Sequence, residues 1–383
     1  MNKMISNIIF FLVFFSLYGS LHYYFYRSCK QALNIGFLWN IIFIASMLFM
    51  LFSPVLIRIT SEQGYRLWHI CFSYFAFIWM AVLFLFLSIH IVFDIYSLII
   101  TLSGKFISPS INRYSLENRV AFTVTLVLIG AIILYGTIEA NSIIVEKLTL
   151  QTEKLPRGIS SLRIVQISDL HFSNINGSGF AKKISEIVSS LDPDILVSTG
   201  DLIEMDFYQK EEVADILRKI QTRYGKYAVP GNHEFYYGIQ EASEFTEDAG
   251  FKMLRNETVL ACSLVHIAGI DDRDPNWLGE ESADIESNIL DKNLDTYTVL
   301  LKHQPKLNNK SAELFDLQLS GHTHKGQIFP FSLVTSFFYS FHSGLYKVRE
   351  NSYIYVSRGT GVWGPPIRFL SRPEITVFDL ERT

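Results

Sequence analysis

The sequence has few cysteines, no cluster of basic residues and no large excess of charge. Only three cysteines occur among 383 residues, and Cys262 stands alone in the second half, so no disulfide framework can hold that half together. The net charge is -4 and no run of Lys and Arg appears, which argues against the basic surface that non-specific nucleic-acid binding needs. We therefore expect no nucleic-acid partner.

Charged residues are also scarce in the first part of the chain, which is rich in Phe, Ile, Leu and Tyr. Four apolar stretches in it have the roughly 20 residues that a bilayer-crossing helix needs. They are 5–26, 36–57, 67–91 and 120–140. We therefore predict an all-α transmembrane region over residues 1–145 and an integral, multi-pass protein of the cell (plasma) membrane. Lys and Arg near the span ends divide almost evenly, so the sequence favours neither orientation.

Two features of this region leave alternatives open. The first stretch can be interpreted as a secretory signal because Lys3 precedes it, but no small-residue cleavage site follows before Arg27. His90 and Asp94, near the end of the third stretch, indicate either an ion pathway or a polar pair at the headgroup level, and the second interpretation is favoured. The apolar residues after 91 are predicted to be an interfacial extension.

Short β-branched runs alternate with amphipathic segments from residue 162 onward, after a predicted linker over 146–161. The pattern predicts strands at 163–167, 194–198, 226–229, 264–267, 296–301 and 317–319, with helices at 180–191 and 211–224. This alternation is typical of an α/β domain, here over 162–383. In such sheets the loops at the carboxyl ends of the strands build the site.

Polar clusters rich in oxygen and imidazole donors follow these strands. They are Asp169-Leu170-His171, Gly200-Asp201, Gly231-Asn232-His233-Glu234, Lys302-His303-Gln304 and Gly321-His322-Thr323-His324. None contains a thiolate, which suits Mn, Fe, Zn or Co. The first three are each about one strand-helix unit apart, on the order of 30 residues, so successive units deliver them to one sheet edge. In an extended segment, residues i and i+2 point to the same face, which predicts that Asp169 with His171, and His322 with His324, bind metal as pairs.

The five motifs, in this order, resemble the calcineurin-like metallophosphoesterase superfamily over residues 162–380. Asp-x-His alone is common, whereas Gly-Asn-His-Glu and Gly-His-Thr-His are selective, and five in order make coincidence improbable. The resemblance implies a four-layer αββα sandwich and two divalent metal ions. It implies seven ligands in three roles: Asp169, His171 and His324 on one metal, Asp201 as the bridge, and Asn232, His303 and His322 on the second metal. It also implies that His233 is catalytic and lies over the substrate, and we interpret Glu234 as a residue that orients the ligands.

The C-terminal segment is similar to a membrane-associated branch of this superfamily, which includes UDP-2,3-diacylglucosamine pyrophosphatase-like phosphoesterases. Lys325 stands where that family usually has Gly, and it is either a substrate contact or a surface lysine. Arg358 and Arg368 are candidates for a phosphate clamp, because a guanidinium matches phosphate oxygens in a bidentate geometry. The alternative is a structural role, with Glu374 as a partner.

An aromatic segment over 328–341 follows the last motif. It forms either an interfacial patch or a part of the domain's own core, and packing in the core is slightly favoured. The resulting hypothesis is a membrane-anchored hydrolase of a phosphodiester or pyrophosphate, acting on a lipid or envelope component. The alternatives are a tethered hydrolase of soluble nucleotides or small phosphodiesters, and a transporter or sensor with a degenerate phosphoesterase domain, which the intact ligand set argues against.

Overall fold

The structure is a computed structural model that describes residues 3–61, 66–204, 207–271, 280–290 and 295–383. The chain divides into two compact units. One comprises Met1–Tyr135 with Gly364–Pro366, and the other comprises Gly136–Trp363 with Ile367–Thr383.

Helices dominate the first unit. They are α1 (Lys3–Ala32), α2 (Phe37–Leu51), α3 (Ser53–Ser61), α4 (Arg66–Phe106) and α5 (Asn118–Ala140), with a 3-10 turn at Pro109–Tyr114. Within the described part of the chain, two segments, Arg66–Phe106 and Pro109–Ala140, are long and apolar enough to cross a membrane. A third span results if the bent pair Phe37–Leu51 and Ser53–Ile59 crosses as one.

The predicted spans therefore have different outcomes. The third and fourth stretches fall on α4 and α5, and α4 continues as one helix past residue 91 to Phe106. The first stretch lies in α1, where several side chains are outside the described residues, so the number of four spans stays a prediction. His90 contacts Thr125 Oγ1 at 3.0 Å, and Asp94 accepts a hydrogen bond from the Tyr24 hydroxyl at 2.6 Å. These contacts join α4 to α5 and α1.

The second unit is built on two six-stranded sheets. The strands are β1 (Ile144–Thr152), β2 (Ser161–Ile167), β3 (Ile195–Ser198), β4 (Lys226–Ala228), β5 (Lys252–Met253), β6 (Glu257–Ala261), β7 (Val265–Ile270), β8 (Tyr297–Lys302), β9 (Leu317–Ser320), β10 (Gly344–Lys347), β11 (Tyr353–Val356) and β12 (Glu374–Arg382). Their orders are β1-β12-β2-β3-β4-β5 and β10-β11-β9-β8-β7-β6. The helices are α6 (Ser178–Ser190), α7 (Lys210–Arg218), α8 (Asn232–Tyr237), α9 (Ile239–Asp248), α10 (Glu280–Ile289) and α11 (Phe331–Phe338).

Alternation along the buried strands creates the layers. In β2, Ile164 packs into a cluster that also contains Val299 and Leu301 of the other sheet. Its neighbour Val165 packs on the opposite face, with residues of α6, α7 and α9. In β8, Leu300 likewise faces away from the first sheet, toward Leu290. Because successive strand residues point to opposite faces, these contacts make an αββα sandwich, as predicted.

The predicted linker over 146–161 is wrong in its first half. Residues 144–152 form β1, which pairs in parallel with β12 from Ile144 opposite Glu374 to Thr152 opposite Arg382. The segment Ile144-Val-Glu-Lys-Leu-Thr-Leu-Gln-Thr alternates between half-buried and exposed positions, which is how an edge strand behaves. The α/β domain therefore begins before residue 162.

Candidate metal centre

The predicted ligands lie in loops at the carboxyl ends of strands from both sheets. Asp169 and His171 follow β2, Asp201 follows β3, and Asn232 opens α8 after β4. The remaining ligands come from the other sheet, where His303 follows β8 and His322 and His324 follow β9. The carboxyl ends of strands from the two sheets meet at these loops, which brings together predicted ligands that are far apart in sequence.

The backbone at the ligands is not extended, so the premise behind the predicted i, i+2 pairs is wrong. Five of the seven predicted ligands have left-handed backbone, with φ of 52° at Asp169, 48° at His171, 52° at Asp201, 71° at His322 and 47° at His324. Such residues cost on the order of 1 kcal/mol or more each and cluster at functional sites. The ligand pairs converge because the chain turns sharply at each residue.

Three residues form the first cluster. Nitrogen or oxygen atoms of Asp169, His171 and His324 lie within 4.8 Å of one another, and all three residues are buried. His171 Nε2 is 3.0 Å from His324 Nε2, which is 3.4 Å from Asp169 Oδ1. The donors that the family resemblance assigns to one metal therefore share one pocket.

A second cluster, which contains Asp201, lies beside the first. Asp201, His303 and His322 have donor atoms within 4.8 Å of one another. Asp201 Oδ2 is 3.2 Å from His303 Nε2 and 3.8 Å from His171 Nε2, so this oxygen lies between the two groups. Asn232 Oδ1 is buried and has no hydrogen-bond partner among the described residues, as expected of an oxygen kept for a metal.

Glu234 holds the Asp201 and Asn232 loops together. Its buried carboxylate accepts hydrogen bonds from four backbone N–H groups. These belong to Gly231, Asp201, Leu202 and Ile203, at 2.6 to 3.3 Å. Burial and then Asp201 raise the pKa of Glu234 to about 7. The interpretation of Glu234 as an orienting residue agrees with these contacts.

The glycine that begins two of the motifs permits close packing around the predicted ligands. A Cβ added at Gly231 would collide with the Asp201 carboxylate, and one added at Gly321 would collide with Ser168 and Asp169. The Gly of Gly-Asn-His-Glu and of Gly-His-Thr-His therefore allows backbone to approach a ligand closely.

The tautomer of His303 provides the clearest test of whether the site suits a cation. His303 Nδ1 is 2.7 Å from the Thr199 carbonyl oxygen, so a neutral ring places its only N–H there. The lone pair on Nε2 then faces Asp201 Oδ2 at 3.2 Å and His322 Nδ1 at 3.1 Å. The His322 Nδ1–H can donate to this lone pair in the neutral tautomer that carries it. All three atoms can also offer electron pairs to a cation that lies among them, and imidazole with carboxylate suits borderline divalent metals.

The electrostatics of the clusters agree with this test. Burial alone would raise the pKa of Asp201, but His303 and His233 hold it well below its usual range. Burial, followed by His303, lowers the pKa of His322 to about 3, so its ring is neutral and offers a lone pair. The second cluster, with an ionised carboxylate and the neutral His322 ring, is therefore ready to accept a cation. In the first cluster burial raises the pKa of Asp169, and, against the lowering effect of burial, Glu204 and Asp201 raise the pKa of His171.

His233 lies over the metal clusters. Its backbone N–H donates to Asp201 Oδ1 at 2.9 Å, and its ring makes an edge contact with the His171 ring at 4.8 Å between centroids. The rings of Tyr236 and Trp363 lie 5.6 Å and 6.0 Å away. His233 also shares a cluster of donor atoms with His171 and Asp201, so geometry alone permits a ligand role as well.

The predicted arginine clamp has a different role in the structure. Arg368 is fully buried, and its guanidinium donates to the carbonyl oxygens of Gly361, Arg358 and Ser371 and to His324 Nδ1. The Arg358 guanidinium binds the Glu374 and Glu146 carboxylates. The guanidinium donors of Arg368 are all used within the protein, which gives Arg368 a structural role. The two carboxylates on Arg358 favour the structural alternative for that residue as well. Lys325 is partly exposed beside His324.

Several contacts that support the ligands were not predicted from the sequence. Tyr339 Oη lies 2.7 Å from His322 Nε2, on the side of the ring opposite His303. Glu204 Oε1 is 3.3 Å from His171 Nδ1, without the angle of a hydrogen bond. Neither residue belongs to a motif, although Tyr339 stands in the aromatic segment after the last one.

Comparison with known proteins agrees with this geometry. The family model described as calcineurin-like phosphoesterase matches residues 162–326. An uncharacterized metallophosphoesterase of Aquifex aeolicus is 36% identical over 258 residues, which cover 67% of this chain and 97% of that protein. The chain belongs to the calcineurin-like metallophosphoesterase family. It is therefore a metal-dependent phosphoester hydrolase, and the His and Asp clusters are the residues available to its divalent metal.

Further relatives of this metallophosphoesterase carry membrane segments. A transmembrane protein with metallophosphoesterase domain from Danio rerio is 32% identical over 292 residues, covering 71% of this chain and 66% of that protein. The protein of that name from Bos taurus is 33% identical over 243 residues, covering 60% of this chain and 55% of that protein. Together with the two helices long enough to cross a bilayer, these relatives indicate membrane association.

We predict that Glu234→Gln weakens metal binding without unfolding the protein. Gln keeps one acceptor oxygen and turns an NH2 group toward backbone donors, so the Asp201 loop shifts. The loss expected from removing such a support is about 10- to 100-fold in affinity. Equilibrium dialysis with Mn²⁺ measures it, and Glu244→Gln on the exposed face of α9 is the matched control. Wild-type affinity in Glu234→Gln would contradict this role.

Proposed function

We propose that this chain is a membrane-anchored phosphoesterase that hydrolyses a phosphodiester or pyrophosphate of a lipid or envelope component, with two divalent cations held by seven ligands. The observation that carries the proposal is the meeting of two donor clusters at Asp201. In this assignment Asp169, His171 and His324 would hold one cation, Asn232, His303 and His322 would hold the other, and Asp201 would be available to both. The identity of the pair is open among Mn, Fe, Zn and Co.

A bound pair of divalent cations would lower the pKa of water and neutralise charge on the phosphate. The protein's own side chains would hold the metal ligands and the substrate phosphate in position. Glu234 keeps Asp201 oriented, and His303 is fixed by its bond to the Thr199 carbonyl. Lys325 remains a candidate phosphate contact because it is partly exposed next to His324. Burial and then the positive charge of Lys325 lower the pKa of His342.

His233 is proposed as the catalytic residue over the substrate. Burial lowers the pKa of its ring, so the free enzyme holds a neutral imidazole with one N–H to donate. An anionic phosphate nearby would favour the protonated ring, which could then protonate the leaving oxygen. Tyr236 and Trp363 flank the ring and restrict where a substrate can enter.

The exposure of α11 supports a lipid substrate. No residue of this helix is buried, and Phe337 and Phe338 are 85% and 73% exposed. Ile328 and Phe341 do pack inward, so the core alternative applies to the ends of the aromatic segment only. The helix leads into Tyr339, which contacts His322, and an exposed aromatic patch next to a site is typical of a lipid contact.

Membrane anchoring completes the proposal. The predicted four spans over residues 1–145 would make this a multi-pass protein of the plasma membrane and would keep the hydrolase close to its lipid. The catalytic domain then comprises the strands from β1 onward, with residues 162–383 carrying every proposed ligand.

Replacing His233 by Ala is expected to leave the metal content unchanged and to lower turnover by a factor on the order of 100 or more. Elemental analysis and hydrolysis of a chromogenic bis-ester measure the two effects on the same preparation. Loss of a metal ion would instead make His233 a ligand, and unchanged turnover would refute its catalytic role.

The double variant Phe337→Ser and Phe338→Ser tests the lipid substrate. We expect about a 10-fold or greater fall in kcat/KM for a phospholipid substrate in mixed vesicles, because the variant removes apolar surface that would enter the lipid. Hydrolysis of the soluble bis-ester should stay within about twofold, since no proposed ligand changes. Leu260→Ser, at another exposed position, is the control. An equal effect on both substrates, or on neither, would favour the soluble-substrate alternative.

A further inference from the structure

The last turn of α5 packs directly on the loop over residues 367–371. The Gly136 carbonyl accepts a hydrogen bond from the Arg368 backbone N–H at 3.0 Å. A Cβ added at Gly136 would lie 2.9 Å from the Arg368 carbonyl oxygen and 3.3 Å from Ile367 Cβ. Only glycine permits this approach without a shift of the loop. Residues 136–140 belong to the same compact unit as the two sheets.

Glu139 makes the second contact of this turn. Its buried carboxylate accepts hydrogen bonds from the backbone N–H groups of Ser371 at 2.8 Å and Leu370 at 3.2 Å. A carboxylate at the end of an apolar helix is disfavoured both by its apolar surroundings and by the helix dipole. The two N–H donors offset that cost, so Glu139 ties the helix end to the loop.

The same loop supports a proposed metal ligand. Arg368 Nη2 lies 3.0 Å from His324 Nδ1, and Ser371 Oγ donates to the His324 carbonyl oxygen at 2.5 Å. The remaining guanidinium donors are held by carbonyl oxygens of Arg358, Gly361 and Ser371. Neither the ring nor the backbone of His324 can therefore move independently of the loop.

We propose that Gly136 and Glu139 are positioning residues for His324, which act through the 367–371 loop. Neither residue touches the metal pocket. Their contacts fix the position and orientation of the loop relative to the helix end. The loop in turn fixes the His324 ring, which faces His171 and Asp169. This inference rests on the proposed assignment of His324 as a ligand and not on the identity of the substrate.

Two variants of the full-length protein in detergent test the inference. Glu139→Gln leaves one acceptor for two N–H donors, and Gly136→Ala inserts a methyl group against the loop. For each we expect the Mn²⁺ dissociation constant of one site to rise by about 10- to 100-fold, the usual loss when support of a ligand is removed. The matched controls are Glu117→Gln at the exposed start of α5 and Gly130→Ala, whose added Cβ meets nothing within 4 Å.

Equilibrium dialysis provides this readout without any turnover, so a failure of the proposed reaction would not affect it. The melting temperature of the metal-free protein should match that of the controls, because the inference concerns ligand geometry. Wild-type Mn²⁺ binding in both variants would overturn the proposal. Weaker Mn²⁺ binding together with a lower melting temperature of the metal-free protein would also overturn it, since the helix end would then be only structural.

Discussion

The site depends on a dense set of electron-pair donors that divalent cations can bind together. His303 donates its single N–H to the Thr199 carbonyl oxygen, which turns its other ring nitrogen toward the Asp201 carboxylate at 3.2 Å. The nitrogens of His171 and His324 approach each other at 3.0 Å in the neighbouring cluster. Hydrogen bonds between these rings can satisfy the nitrogens without metal, and bound divalent cations would replace those hydrogen bonds with metal–ligand bonds, so metal binding and the local fold stabilise each other.

The surrounding architecture keeps these electron-pair donors close together. The αββα sandwich brings two sheet edges together, and left-handed turns at five ligands aim the side chains inward. Glu234 gathers four backbone N–H groups on one side, while Arg368 and Ser371 hold His324 on the other. The strain at the ligand backbones is thus offset by a dense set of buried hydrogen bonds.

Local chemistry could be predicted from the sequence, and long-range packing could not. The strand-end motifs marked the polar clusters because their spacing follows strand-helix units, and the family resemblance supplied the seven candidate ligands and the sandwich. The pattern did not reveal that residues 144–152 are an edge strand, since β1 pairs with β12 more than 200 residues away along the chain. For the same reason the sequence leaves the roles of Arg358 and Arg368 open between a substrate contact and a structural contact: their partners become visible only after folding. The exposure of α11 likewise depends on the structure rather than on its composition.

Metal stoichiometry of the purified full-length protein tests the central claim most directly. Elemental analysis after dialysis should find two divalent ions per chain, and chelation should abolish phosphoester hydrolysis until Mn²⁺ or another borderline metal is returned. One ion per chain at saturating metal, or hydrolysis that persists in the stripped protein, would contradict the two-metal account.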